Sequence, residues 1–172
     1  MVNKMERSYV KDILAGKEGN VVVKGWVHDT RALGKVRFLV LRDLTGTIQV
    51  VATKDSKVFD KMNVSRESAI MIEGKSVKSK QAPGGYEIVP ENIEVYAEAE
   101  QPIPIDVSDF SKTELPKRLD YRFLDFHRKR TQAIFRIQTE ISQSFREFFY
   151  KMGYVELQSP GIISNASEGG TD

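Results

Sequence analysis

The chain has 172 residues, 40% hydrophobic and 29% charged, which suits one domain or two small ones and excludes a globally disordered protein. It has no cysteine, which excludes disulfides and thiol catalysis, and it has neither an apolar run of about 18 residues nor a secretory signal, so a soluble, cytoplasmic protein is expected. The formal net charge of +2 is too small to predict nucleic-acid binding from bulk charge.

Residues 21–98 have the pattern of five short β-strands. The segments NVVVKGWVHDT, KVRFLVLRD and TIQVVAT are rich in strand-forming residues, with DLTG as a tight turn. A helix-compatible segment, SKVFDKMNVSRESA, then precedes AIMIEGKSV and YEIVPENIEVYAE, the latter with a kink expected at Pro90. Five strands with one helical insert after the third strand predict an OB-fold β-barrel; another small antiparallel barrel is the alternative.

The β pattern ends near residue 100. Residues 101–118 carry three prolines and no sustained period, which predicts a hinge or linker. We therefore expect one domain over residues 1–100 and the start of a second, α+β domain over residues 119–172.

The second domain begins with a predicted amphipathic helix over residues 131–152. Its apolar residues recur at spacings of three and four, and Gly153 is placed to end it. A short strand, YVELQ, is expected next, stopped by Ser159 and Pro160. One helix and one strand cannot bury the helix's apolar face, so this domain is expected to be incomplete. That face comprises Ile134, Ile137, Ile141, Phe145, Phe148 and Met152.

A candidate binding surface lies on the second and third strands. Phe38 could stack on an unpaired base, and Gln49 could hydrogen-bond to a base edge. Four basic residues that could hold phosphates are close in sequence. The alternative is that Phe38 is a core residue beside a solvated basic edge, and the strand pattern alone favours this alternative. The basic residues are Arg31, Lys35, Arg37 and Arg42.

The remaining candidates for chemistry are weak. Trp26, the only tryptophan, is expected in the barrel core, with His28 on the same strand face. His28 and His127 are the only histidines, so no metal site is predicted. The sequence shows no serine–histidine–aspartate order, paired carboxylates or phosphate-binding loop, so no complete active site is expected.

The stretch GWVHDTRALGKVRFLVLRDLTGTIQVV resembles the anticodon-binding domain of the class IIb aminoacyl-tRNA synthetases, the aspartyl, asparaginyl and lysyl group. RLDYRFLDFHRKRTQAIFRIQTEISQSFREFFYKMGYVELQSPGI resembles that family's approach to motif 1 and motif 1 itself, and ASEGGTD resembles the archaeal-type aspartyl enzymes. The resemblance implies an N-terminal portion of an aspartate–tRNA ligase, a cytoplasmic homodimer. An asparaginyl enzyme and a free-standing OB-fold module that binds tRNA or single strands without catalysis are the alternatives.

The resemblance also implies roles for individual residues of the barrel. Phe38 would stack on the central anticodon base, with Gln49 bonding to the same region and Arg31 contacting the strand. Glu87 would read the first anticodon nucleotide. His28 and Pro83 are implied to mark enzymes that also charge the asparagine tRNA.

For the catalytic half, the resemblance implies that ATP and Mg²⁺ are used to activate aspartate. Glu168 would contact the aspartate α-amino group and Gly169–Gly170 would give a substrate-binding loop its freedom, while Pro160 would lie at the dimer interface. The ATP-binding motifs of the family are not in this chain, so we expect tRNA binding without aminoacylation.

Overall fold

The chain forms two compact units, Met1–Ile103 and Pro104–Asp172. A computed structural model describes residues 6–108 and 110–159. None of the helices in this part of the chain is long and apolar enough to cross a membrane.

The first unit is a closed five-stranded barrel. The strands are ordered β1-β2-β3-β5-β4, and all neighbouring pairs are antiparallel except β3 with β5, which is parallel. A single 3-10 turn, Asp60–Met62, lies between β3 and β4. This arrangement confirms the OB-fold prediction. The strands are β1 Gly19–Leu33, β2 Val36–Arg42, β3 Thr47–Thr53, β4 Ala69–Lys78 and β5 Tyr86–Ala97.

Strand alternation fills the barrel core. On β2 the side chains of Leu39 and Leu41 are fully buried, and on β3 the inward residues are Ile48, Val50 and Ala52. Because successive strand residues point to opposite faces, the residues between them lie on the outside of the barrel.

A short helix that the sequence analysis did not predict closes part of this core. Helix α1, Val10–Leu14, buries Val10 and Ile13 completely. Its first turn is tied to the β2–β3 turn, because the backbone N–H of Val10 donates to Asp43 Oδ2 at 2.9 Å. The other carboxylate oxygen of Asp43 accepts from the backbone N–H groups of Thr45 and Gly46, which fixes the tight turn.

The kink expected at Pro90 is confirmed. Pro90 pairs with Gly74 of β4, directly after a shift in the register of the two strands. A Cβ atom on Gly74 would overlap the carbonyl oxygen of Val89, so only glycine allows β5 to approach this closely.

The second unit is helical. Helix α4 ends where the sequence predicts: the N–H of Gly153 (φ +83°) donates to Tyr150 and that of Tyr154 to Phe149. The Tyr154 ring packs edge-on against Phe149 at 5.4 Å, which completes a Schellman motif. The apolar face of α4 is open, with Phe145 64% exposed. The helices are α2 Leu115–Asp120, α3 Arg122–Asp125 and α4 Lys129–Lys151.

The prediction of a strand in YVELQ is wrong. Residues 154–158 have no regular secondary structure. A strand exists only when its backbone groups pair with a neighbour, and the described residues of this unit contain no other strand. The β-rich composition of this segment alone therefore could not make it a strand.

Part of the predicted hinge is packed. Ile105 and Val107 are buried with Leu124 and lie against Tyr121, all within the second unit. The domain boundaries at residues 100 and 118 stay a prediction.

An ion cluster joins α2 and α3 to the start of α4. Arg118 forms a bidentate ion pair with Asp125, in which Nε donates to Oδ1 at 2.7 Å and Nη2 donates to Oδ2 at 2.9 Å. The buried Arg128 donates to the same carboxylate at 3.3 Å, and Thr131 Oγ1 does so at 3.2 Å. The hydrogen bonds from Arg118 in particular hold the pKa of Asp125 below its usual range.

Asp125→Asn is expected to weaken the start of α4 by about 1.5–3 kcal/mol at pH 7, because hydrogen bonds to a charged group are lost. A carboxylate with a lowered pKa stabilises the fold above the unfolded-state pKa of about 3.9, and this contribution is lost as the pH falls through the lower folded-state value. The backbone amide of Gln132 should therefore be less protected from hydrogen exchange in Asp125→Asn than in wild type at pH 7, and the difference should be smaller at pH 3. The exposed Asp120→Asn is the control; an equal effect of both variants would contradict the prediction.

Candidate nucleic-acid interface

The four residues predicted to contact an RNA strand lie on one outer surface of the barrel. Arg31 of β1 is paired with Phe38 of β2, which in turn faces Val51 of β3. In the next row, Gln49 of β3 is paired with Glu87 of β5. The parallel β3–β5 pairing thus brings together residues that are far apart in sequence. We call this surface, defined by Arg31, Phe38, Gln49 and Glu87, the outer face.

The alternative in which Phe38 is a core residue is wrong. Phe38 is half-buried, and its neighbour Leu39 takes the inward position with 0% exposure. The Arg31 guanidinium lies 5.3 Å from the centre of the Phe38 ring. An aromatic ring with a cation beside it on a barrel surface can stack on a base while the cation meets a phosphate.

Gln49 and Glu87 form a hydrogen-bonded pair beside Phe38. Gln49 Nε2 donates to Glu87 Oε2 at 3.3 Å, and the Gln49 side chain is largely buried. The amide is therefore held in one orientation. A fixed amide and a half-exposed carboxylate offer acceptors to a base edge.

The four basic residues near Phe38 have different environments. Arg31 and Lys35 are exposed, so they are available to phosphates. Arg37 lies over the Phe59 ring at 4.3 Å and donates to the Phe59 carbonyl at 2.9 Å, so its role is structural. Arg42 is buried and paired with Glu67.

The expectation that Trp26 is core is also wrong. Trp26 is 37% exposed, and its neighbour Val27 takes the inward position instead. Trp26 pairs with Arg42 of β2 and with Ala69 of β4, so it lies outside the barrel on the surface shared by three strands.

His28 lies at an irregularity of β1, where the pairing with β2 shifts between Val27 and Asp29. Its Nδ1 is 3.1 Å from Arg42 Nη1, and Arg42 Nη2 donates to Glu67 Oε2 at 2.7 Å. Burial of the ring, followed by the positive charge of Arg42, lowers the pKa of His28.

The structure does not bring His28 and Pro83 together. His28 follows Trp26, which pairs with the first residue of β4, whereas Pro83 is exposed in the connection after the last residue of β4. At about 3.3 Å per residue, β4 separates the two by on the order of 30 Å.

Several predicted residues fall outside the described residues: Pro160, Glu168, Gly169 and Gly170. Within the described ranges, no three His, Asp or Glu side chains come close enough to hold a metal ion.

Comparisons with known proteins match both units. Residues 21–96 match the family described as OB-fold nucleic acid binding domain, and residues 114–172 match tRNA synthetases class II (D, K and N). Over 171 residues, the chain is 43% identical to an aspartate–tRNA(Asp/Asn) ligase of Archaeoglobus fulgidus, covering 96% of this chain and 40% of that protein. The second unit thus matches the class II tRNA synthetases, and the first unit matches an OB-fold nucleic acid binding domain.

Two solved tRNA synthetase structures share the fold of this chain. An asparaginyl-tRNA synthetase from Pyrococcus horikoshii, complexed with asparaginyl-adenylate, superposes with a TM-score of 0.84 at 30% identity, covering 96% of this chain and 39% of that one. An aspartyl-tRNA synthetase from Entamoeba histolytica gives 0.82 at 25% identity, with 96% and 41% covered. The chain thus spans about 40% of the length of the synthetases it matches.

The sequence did not predict the residue that organises the end of the barrel near His28. Glu67 has a left-handed backbone (φ +69°) and is buried against Arg42. Nothing in the pattern SRESA signals this role. Glutamate is usually exposed, and left-handed backbone is unusual for it.

Proposed function

We propose that this chain carries the anticodon-binding domain and the start of the catalytic domain of an aspartate–tRNA ligase acting on the aspartate and asparagine tRNAs. The observation that carries this proposal is the grouping of Arg31, Phe38, Gln49 and Glu87 on the outer face of an OB-fold barrel. Relatives named aspartate–tRNA(Asp/Asn) ligases, 40–43% identical to this chain, support it.

The outer face can bind an anticodon loop through three kinds of contact. The Phe38 ring stacks on the central base, which is worth about 1–3 kcal/mol for one base. The Gln49 amide bonds to the edge of that base and Glu87 accepts from the neighbouring first base, since paired donors and acceptors identify bases in single strands. Arg31 and Lys35 hold the phosphates without reading sequence.

The catalytic chemistry belongs to the whole protein. ATP and Mg²⁺ would supply activation of the aspartate carboxylate, and we propose that Glu168 and Gly169–Gly170 contact the aspartate. No catalytic step is assigned to the described residues.

We also propose that the whole protein is a homodimer that covers the apolar face of α4. Six large apolar residues of that helix are each more than half exposed. An apolar patch of this extent is typical of an interface, and Pro160, shortly after α4, is proposed to lie at it.

An RNA hairpin carrying the aspartate anticodon tests the anticodon function directly. Binding of the 172-residue chain should weaken as salt increases, because phosphate contacts release counterions. Replacing the three anticodon bases with their complements should weaken binding by at least about ten-fold, the equivalent of one lost stacking contact. Equal affinity for both hairpins would contradict the proposal.

The separation of His28 and Pro83 predicts independent effects on tRNA choice. In the whole enzyme, His28→Gln and Pro83→Lys should each change the ratio of kcat/KM for the aspartate and asparagine tRNAs. Since the two sites share no partner, the double variant should equal the sum of the single changes within about 0.5 kcal/mol. A wild type already strict for the aspartate tRNA, or strong coupling between the two sites, would contradict this prediction.

A further inference from the structure

The chain leaves the barrel beside the turn that precedes β4. Ser65 and Ser68 are the first and last residues of this β-turn, in which the N–H of Ser68 donates to the Ser65 carbonyl at 3.2 Å. The left-handed backbone of Glu67 is typical of the third residue of a type II turn. The turn is fixed to β1, because the N–H of Val27 donates to the Ser68 carbonyl at 2.9 Å and the Val27 carbonyl accepts from the N–H of Glu67 at 2.7 Å. The two serine side chains are therefore held in place by the barrel.

Both serine hydroxyls bond to the backbone of Ala99, which follows the end of β5. Ser65 Oγ donates to the Ala99 carbonyl at 2.8 Å, and Ser68 Oγ accepts from the Ala99 N–H at 2.9 Å. The two hydroxyl oxygens are 2.9 Å apart. A hydroxyl has only one hydrogen to donate, and that of Ser65 is used on the carbonyl, so Ser68 must donate to Ser65. We call this closed ring of hydrogen bonds, formed by Ser65, Ser68 and the backbone of Ala99, the serine bridge.

The serine bridge does the work of a neighbouring strand where strand pairing has stopped. Strand β5 ends at Ala97. At Ala99 the two hydroxyls satisfy the N–H and the carbonyl of one residue, as the two ladder bonds of a paired strand residue would. Ser68 is 0% exposed, so water does not compete for its bond to Ala99. Farther along the chain, Gln101 Nε2 donates to the carbonyl of Arg66 in the same turn at 2.9 Å. The barrel thus holds the chain as far as Gln101.

The second unit holds the chain again after a very short connection. Ile105 is buried in the apolar cluster of that unit. Only residues 102–104 lie between Gln101 and Ile105. Two of them, Pro102 and Pro104, have a φ angle that is fixed by the proline ring. The connection between the two anchored stretches is therefore conformationally restricted, and the serine bridge defines where it begins.

We propose that Ser65 and Ser68 are positioning residues for tRNA charging, which act by anchoring the chain at Ala99 where it leaves the anticodon-binding barrel. The inference rests on the proposed function, since it requires that the outer face binds the anticodon loop. Without the serine bridge, residues 98–101 become part of the connection and lengthen it. A tRNA held by the barrel then reaches the catalytic site in the productive position less often, and correct placement of a bound substrate contributes strongly to rate.

Hydrogen exchange in the 172-residue chain tests the serine bridge without RNA. Protection of the Ala99 backbone amide should fall by about three- to ten-fold in Ser68→Ala, as expected for one lost hydrogen bond. Ser76→Ala is the matched control, because Ser76 is also buried but its hydroxyl has no hydrogen-bond partner in the part of the chain that the structure describes. Unchanged protection of Ala99 in Ser68→Ala, or an equal loss in Ser76→Ala, would overturn the proposal.

Charging by the whole enzyme tests the positioning role. In Ser65→Ala/Ser68→Ala, kcat/KM for the whole aspartate tRNA should fall by at least about five-fold, because the bound tRNA is placed less precisely. Activation of aspartate, measured by pyrophosphate exchange, and binding of the anticodon hairpin should not change. A tRNA fragment without the anticodon arm cannot engage the outer face, so its charging should not change either. Ser65→Thr keeps a hydroxyl and should charge whole tRNA like wild type, whereas Ser65→Ala should not.

Two results would overturn the positioning role. One is unchanged charging of whole tRNA in the double variant. The other is an equal fall in pyrophosphate exchange or in charging of the fragment, since this would show a general defect of the enzyme rather than a loss of placement.

Failure of the proposed function has a different signature. If the wild-type chain binds the anticodon hairpin and the hairpin with complementary bases equally, the anticodon function fails and the positioning role fails with it. The exchange of the Ala99 amide still decides independently whether the serine bridge anchors the chain.

Discussion

Glu67→Ala is expected to lower the free energy of unfolding by about 3–5 kcal/mol, because it leaves the Arg42 guanidinium buried without its carboxylate. The pair is 2.7 Å apart and almost fully shielded from water. Urea unfolding at pH 7, followed by the fluorescence of Trp26, measures the loss. Trp26 lies opposite Arg42 on the neighbouring strand, so its emission reports on this part of the barrel.

A matched control comes from an exposed pair on the same barrel. Lys75 and Glu91 are 3.4 Å apart, but both side chains are more than half exposed. Glu91→Ala should therefore change stability by no more than about 1 kcal/mol. If Glu67→Ala were as mild as Glu91→Ala, the buried pair would not contribute as expected.

The backbone of Glu67 allows a finer test of the same site. A non-glycine residue at φ +69° costs about 1–2 kcal/mol relative to glycine. Glu67→Gly loses the carboxylate but relieves this strain, so it should be less destabilising than Glu67→Ala by roughly that amount. Equal losses in the two variants would indicate that the backbone there carries no strain.

The fold was predictable where local pattern determines structure. The five strands, the kink at Pro90 and the long helix ended by Gly153 follow from residue periodicity and from turn or cap chemistry, and each is present. Helix α1 was missed because five residues are too few to show a helical period. The prediction of a strand in YVELQ was wrong because a strand forms only beside another strand that pairs with it, and composition does not reveal that partner.

The outer face was only partly predictable. Sequence proximity grouped Arg31 with Phe38, but alternation could not say which side of β2 faces inward, since Val36, Phe38 and Val40 are as apolar as Leu39 and Leu41. The contact between Gln49 and Glu87 depends on the parallel β3–β5 pairing, a long-range feature of barrel closure. The surroundings of His28 could not be predicted either, because Glu67, which pairs with the Arg42 that contacts His28, lies far from His28 in the chain.

Adjacent residues of β2 should respond in opposite ways to truncation, and this is the second large effect we expect. Leu39→Ala empties a fully buried position and should cost about 2–5 kcal/mol of stability. Phe38→Ala should cost well under 2 kcal/mol of stability, since the ring is half-buried outside the core, but about 1–3 kcal/mol in binding of the anticodon hairpin.

Thermal unfolding of both variants measures the effect on stability. Titration with the hairpin measures the effect on binding, at a temperature well below the melting temperature of the less stable variant. Phe38→Tyr preserves a stacking ring and should bind like wild type, so it shows that the loss in Phe38→Ala comes from the ring face. Because Leu39 points into the barrel, folded Leu39→Ala should bind almost normally. A melting temperature in Phe38→Ala as low as that of Leu39→Ala would place Phe38 in the core and remove the physical basis of the outer face.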